Sequence, residues 1–200
     1  MKTAPSRLTW FFLLCLLSPV LRGTSVVAPS FPELVAESRV IARVKVAAIR
    51  AVWVETPAGR TIKTLVTFTV EKTLKGAPAP ELTLSFLGGE LEGQSLRVQG
   101  VPSFVLGQTD IVFVSDLTGA EFCPLVGVMH GRYRVRTDPA TARRYVARND
   151  GTPLESEADV QLPQAVNSPA NRLKSVGRAF SPEVFEQKIT AEAHGTAVQP

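Results

Sequence analysis

The chain has 200 residues, 44% of them hydrophobic, with 22 Lys and Arg against 18 Asp and Glu for a formal charge of +4. Three of the basic residues, Lys2, Arg7 and Arg22, precede residue 26 and no acidic residue does, so the remainder is almost neutral. Near-neutrality argues against a nucleic-acid partner, and cysteines at Cys15 and Cys123 alone exclude a disulfide-stapled scaffold.

Residues 1–25 have the anatomy of an export signal. Lys2 and Arg7 make a positive start, Trp10 to Leu17 is an apolar run too short to span a bilayer, and Gly23 and Ser25 stand at the spacing of a small-residue cleavage site. The expectation is a secreted or periplasmic protein starting near Val26. Leu14 before Cys15 is not the small residue a lipid-anchoring site requires. Cys123 is then alone in the mature chain, which must stand on its hydrophobic core. No later apolar run reaches membrane-spanning length.

Ser30-Phe31-Pro32-Glu33 has the spacing of a capping box and predicts a short helix through Glu37. The period then changes to two: Val40, Ala42, Val44 and Val46 alternate with Arg43 and Lys45, and the phase slips near Ala47–Ala48 before Ile49, Ala51 and Trp53. Such a slip predicts a β-bulge, which bends a sheet. A turn at 56–59 leads to a second strand, Ile62 to Leu74, with Ile62, Val66, Phe68, Val70 and Leu74 on one face. Leu82, Leu84 and Phe86 make a third, followed by a glycine-rich turn at Gly88, Gly89 and Gly93. Ile111 to Val114 reads as a strand buried on both faces. Phe122 to Met129 and Arg132 to Thr137 read as a pair of strands around His130-Gly131. Residues 149–180 lose periodicity and read as an irregular excursion or linker. Ser181-Pro182-Glu183 opens a helix over residues 181–194 with Val184, Phe185, Ile189 and Ala193 as its stripe, and residues 195–200 read as a frayed tail.

The expected architecture is mainly β: a small barrel over residues 26–148 flanked by an N-terminal and a C-terminal helix. Val44, Val66, Phe68, Val70, Phe86 and Phe113 are its expected core.

Few residues carry chemistry. His130 and His194 lack the companions a zinc site needs, there is no Gly-x-Ser-x-Gly or Gly-x-x-x-x-Gly-Lys motif, and neither metal nor cofactor is expected. Were Cys123 and His130 to face each other across a hairpin they could form a nucleophilic pair; an inert buried thiol and a turn histidine is the reading preferred. Gly88-Gly89 opens no helix and reads as a plain turn, not a phosphate cradle. Arg132, Arg134 and Arg136 alternate with Tyr133 and Val135, and Arg143 and Arg144 follow, so these five arginines are the candidate binding residues for an anionic polymer. A solvated strand face has the same pattern. Val101, Phe104 and Leu106 form either an exposed apolar rim or a loop tucked over the barrel end.

Ser38-Arg39-Val40-Ile41-Ala42-Arg43-Val44, the strand Thr67 to Leu74 ending in Lys75-Gly76, Gly88-Gly89, Pro102-Ser103-Phe104 and Gly107 together resemble the netrin-like module shared by tissue inhibitors of metalloproteinases and by exported bacterial proteins of unknown role. The resemblance covers Glu37 to Val135 and implies an OB-like five-stranded barrel with helices packed against it. In that family inhibition depends on a cysteine at the mature N-terminus, and this chain has none there, so no inhibitory residue carries over. The expected function is an exported, non-catalytic binding or adaptor module whose partner is a protein or an anionic envelope polymer. The alternatives are an inhibitor of an exported protease acting through a loop, and an enzyme using Cys123.

Overall fold

A computed structural model describes residues 27–57, 59–118, 122–164 and 174–196. The expected leader therefore lies outside the described residues, as do the centre of the 149–180 stretch and the last four residues. The protein is mainly β, with a short helix at one end of the described chain and a longer one at the other.

Helix α1 (Phe31–Glu37) begins as its capping box requires: the Glu33 amide is bonded by the Ser30 hydroxyl, and the Glu33 carboxylate accepts from the Ser30 amide at 2.8 Å. That carboxyl is held below its usual range by the hydrogen bonds from the Ser30 backbone and side chain. Two strands of 17 residues follow, β1 (Val40–Thr56) and β2 (Gly59–Lys75). They form one long antiparallel hairpin with register shifts at Ile41/Ala42, Arg43/Val44 and Val46/Ala48. The last is the bulge that the phase slip predicts.

Strand β3 (Glu81–Leu87) pairs with β2, and β4 (Gly89–Leu91) and β5 (Gln94–Leu96) make a separate small hairpin. Strands β6 (Thr109–Val114), β7 (Arg132–Thr137) and β8 (Arg144–Arg148) complete a six-stranded antiparallel sheet in the order β3-β2-β1-β6-β7-β8. The sheet is bent but open: β3 and β8 are its two ends, and no ladder joins them as a closed barrel would require. Helix α2 (Pro182–Thr196) packs back onto it.

The bent sheet has apolar side chains on both faces, so there are two cores. Ile41, Ile111, Phe113 and Tyr133 pack with α1 and α2 on the helix face. Val44, Val46, Val66, Phe68, Leu84, Phe86 and Val112 pack on the concave face under Val101 and Phe104. The single core expected from the sequence is thus divided, with Phe113 across the sheet from Phe68. Alternation along β6 sends Ile111 and Phe113 one way and Val112 and Val114 the other.

Two further expectations need correcting. Phe122 to Met129 forms no strand beyond an isolated Leu125–Val114 bridge, because Gly127 adopts φ +56° and leads into a 3₁₀ turn at Val128–Gly131. β7 pairs instead with β6 and with β8. On α2, Val184 is exposed, while Glu186 is buried beside Phe185 and Ile189. Its carboxylate accepts from Arg43 Nη1 at 2.6 Å and Lys72 Nζ at 2.7 Å, so the face expected to be wet at Arg43 is covered by a helix bearing the opposite charge. Within 149–180, Leu154 and Val160 enter the helix-face core.

Phe68 is fully buried with its ring 5.2 Å from that of Phe104. Its replacement by Ala should cost about 3–5 kcal/mol, read as a lowered denaturation midpoint. An unchanged midpoint would show that the concave core does not depend on this ring.

Candidate binding cleft

The concave core is open at one end, where a cleft of about 690 Å³ lies between the β1–β2 arm, the β4–β5 hairpin and the 97–104 loop. Its floor is Thr64, Val66 and Phe86, and Ile49 forms one lip. Local chemistry sets this shape. Gly88 has φ +100° and its amide donates to the Ile62 carbonyl at 2.8 Å, while Thr64 Oγ1 donates to the Gly88 carbonyl at 2.7 Å. A side chain at Gly88 would place Cβ 2.7 Å from the Leu96 carbonyl oxygen, and one at Gly89 would fall onto Thr64 Oγ1. Two glycines therefore let the small hairpin lie flat against the arm. This is a turn opening a hairpin, as the sequence implies.

The opposite wall is Val101, Pro102, Ser103 and Phe104. The Phe104 ring sits 5.2 Å from Phe68 and 4.9 Å from Phe86, so this segment is tucked into the concave core while Val105 and Leu106 remain exposed. Arg132 fixes it there. Its guanidinium lies 4.2 Å from the Phe104 ring centroid, and Nη1 donates to the Ser103 carbonyl. Nε donates at 3.1 Å to Asp110 Oδ2, and Gln108 Nε2 donates to Asp110 Oδ1 at 3.1 Å. Burial raises the Asp110 carboxyl, against the opposing pull of Arg132, and burial lowers Arg132. The rim carries exposed Glu90, Ser95 and Arg97.

The five candidate arginines are not gathered into one outward row. Arg132 is buried, because the face it shares with Arg134 is covered by the 97–104 loop and faces Asp110. Arg134 is half-buried directly across from Asp110, and Arg136 is exposed. Arg143 donates to the carbonyls of Val176, Gly177 and Ala179, closing the loop before α2. Arg144 is exposed and lies 3.8 Å from Glu183. The sequence reading missed the cleft itself and the part Asp110 plays. An acid beside a continuous apolar run, facing an arginine-bearing strand, was the available signal.

Cys123 and His130 do not sit on a hairpin. Cys123 packs against the concave core and burial pushes its thiol up to about 11. His130 is buried, its Nδ1 3.2 Å from the Val160 carbonyl oxygen, and burial lowers its pKa. No group of three or more His, Cys, Asp or Glu among the described residues could hold a metal ion, and none of the described helices is long and apolar enough to cross a membrane.

With its pKa at about 11, Cys123 is almost entirely protonated at neutral pH. Labelling by iodoacetamide should therefore be slow near pH 7 in the folded protein and rise with pH toward that value. Fast labelling near pH 7 that saturates there would instead reveal an activated thiolate.

In comparison with known proteins the chain matches no family model, no curated protein and no solved structure, so the netrin-like resemblance is neither supported nor opposed by a relative.

Proposed function

We infer that this chain is a non-catalytic binding module, working outside the cytoplasm, that takes a protein ligand in the cleft between the β1–β2 arm and the 97–104 loop. The observation that carries this reading is the construction of the cleft: an apolar floor continuous with the core, walls held by two obligatory glycines and a buried ion pair, and a polar rim. Sites of this kind gain affinity from apolar contact and specificity from a few placed polar groups.

Arrangement of the arginines favours a protein over an anionic polymer. Of the five, Arg132 and Arg143 spend their donors inside the molecule, and Arg144 lies near Glu183. Polymer binding needs several cations acting together on successive charged groups, and that set is not assembled here.

Ser95 lines the cleft from an exposed strand position, so Ser95→Trp should obstruct it and leave the fold intact. Chemical cross-linking of the tagged protein in its native exported fraction should capture a ligand with the wild type and lose it with this variant, at matched thermal stability. Equal capture by both proteins would overturn the reading.

A further inference from the structure

The backbone of β1 is used unevenly along its length. From Ile41 to Lys45 the strand is flanked by β2 and β6, and Val46 is closed by bonds with Gly107 and Gln108. Beyond the bulge β2 is its one strand partner among the described residues. Two bonds on the far side of β2 show which groups then face outward. The Gly88 amide donates to the Ile62 carbonyl, and the Val70 amide to the Pro80 carbonyl. Backbone groups alternate sides along a strand, so Ile62, Thr64 and Val66 face β3, while Lys63, Leu65 and Thr67 face β1. Their partners on β1 are Val52, Arg50 and Ala48. The amides and carbonyls of Ile49, Ala51, Trp53 and Glu55 therefore point away from the sheet, and among the described residues no backbone hydrogen bond meets them.

Of the side chains of this same parity, Ile49 lines the cleft, while Ala51 lies beside Gly89 of the β4–β5 hairpin and Trp53 bonds Glu92. Ile49 is paired with Val66 and Ala51 with Thr64, and Ile49 is the cleft's lip. In an antiparallel ladder, directly opposed residues share a face. A strand laid along this edge thus puts the residue opposite Ile49 on the cleft's face and its neighbours on the other side. An apolar edge of this length with no described strand along it is the arrangement folded proteins otherwise block.

We propose that the outer edge of β1, residues 49–55, and the adjoining cleft form one site that takes an extended peptide by strand addition, apolar at alternate positions and acidic at its ends. The proposal rests on the cleft being the binding site and names the class of its ligand. Exposed Lys45, Arg50 and Arg97 surround the edge. Of the nearby acids, Glu90 is exposed on the rim, Glu92 accepts from Trp53 Nε1 at 3.1 Å and Glu55 lies 3.9 Å from Arg60, so Lys45, Arg50, Arg60 and Arg97 stand against three carboxylates and leave a small positive excess that suits an acidic segment. A second copy of the chain fits less well. Pairing two such edges antiparallel sets Glu55 or Trp53 of the copy against the apolar lip, and Trp53 is already held by Glu92 and by Arg60 at 4.2 Å.

The test uses a fluorescein-labelled octapeptide of alternating valine and serine with a glutamate at each end, followed by anisotropy. Ala51→Pro removes an outward amide without touching a bond to β2, a place where an edge strand tolerates proline. It should weaken binding by roughly tenfold or more, the scale expected for losing one or two backbone hydrogen bonds, at unchanged thermal midpoint. N-methylation along the peptide keeps the test decisive should Ala51→Pro misfold: methyl groups at one parity should abolish binding and those at the other should spare it. Ser95→Trp should abolish binding as well.

Binding that ignores both Ala51→Pro and the parity of methylation, while Ser95→Trp destroys it, sinks the edge proposal and leaves the cleft reading standing. Binding indifferent to all three sinks both. Absence of binding to the wild type overturns the proposal, as does a concentration-dependent dimer that Ala51→Pro dissociates, which would assign the edge to a second copy.

Discussion

Asp110 and Arg132 are both withdrawn from water where β6 and β7 run side by side, 0% and 2% exposed, with Arg132 Nη2 and Asp110 Oδ2 3.0 Å apart. Removing two charges from solvent costs several kcal/mol per ion, and their attraction does little more than offset it. The pair is therefore a poor source of net stability compared with an apolar replacement. Its value is directional. Once the carboxylate has fixed the guanidinium, the remaining donors and the flat cation face have definite targets: the Ser103 carbonyl, Asn149 Oδ1 at 3.3 Å and the Phe104 ring. Phe104 then closes the gap between Phe68 and Phe86, and the loop that carries it becomes a wall of the cleft.

The same device recurs around the sheet. Arg43 and Lys72 meet Glu186 to seat α2, Arg143 collects three carbonyls before that helix, and Arg148, itself buried, donates to the carbonyls of Asp159 and Leu162. A chain without a disulfide among its described residues thus uses cations on and beside the sheet to fix the helix and loops packed against it. The arginine content, which suggests a binding surface when read along the sequence, serves in large part to tie loops down. The outward edge of β1 lies on the part of the sheet that none of these clamps reaches.

What was legible in the sequence is what short-range rules encode. The capping box of Ser30 and Glu33, the alternation of β1, its slip at Ala47–Ala48 and the parity of β2 from Val66 to Val70 each report on residues a few positions apart and each appears in the structure, whereas Leu74, expected on the face of Phe68, joins the helix-face core. The burial of Arg132 was not legible, because Arg-Tyr-Arg-Val alternates identically whether the arginine face meets water or a loop. The deciding partner, Asp110, stands 22 residues earlier. β8 escaped notice because its apolar centre, Tyr145 to Ala147, is three residues long between two arginines. The cleft is contributed by segments that separately read as a strand, a turn and a loop, and only the bend of β1 brings them together.

The central claim, that the Asp110–Arg132 pair positions the 97–104 wall, is tested most directly by a double-mutant cycle for unfolding with Arg132→Met, Asp110→Leu and the two combined. Each single change leaves a buried charge without its partner and should cost about 3–5 kcal/mol. The combined variant should be far less destabilised than the sum, since no charge is then stranded. Single variants near wild-type stability whose effects simply add would show that the two groups are not coupled, and that the wall is held by something else.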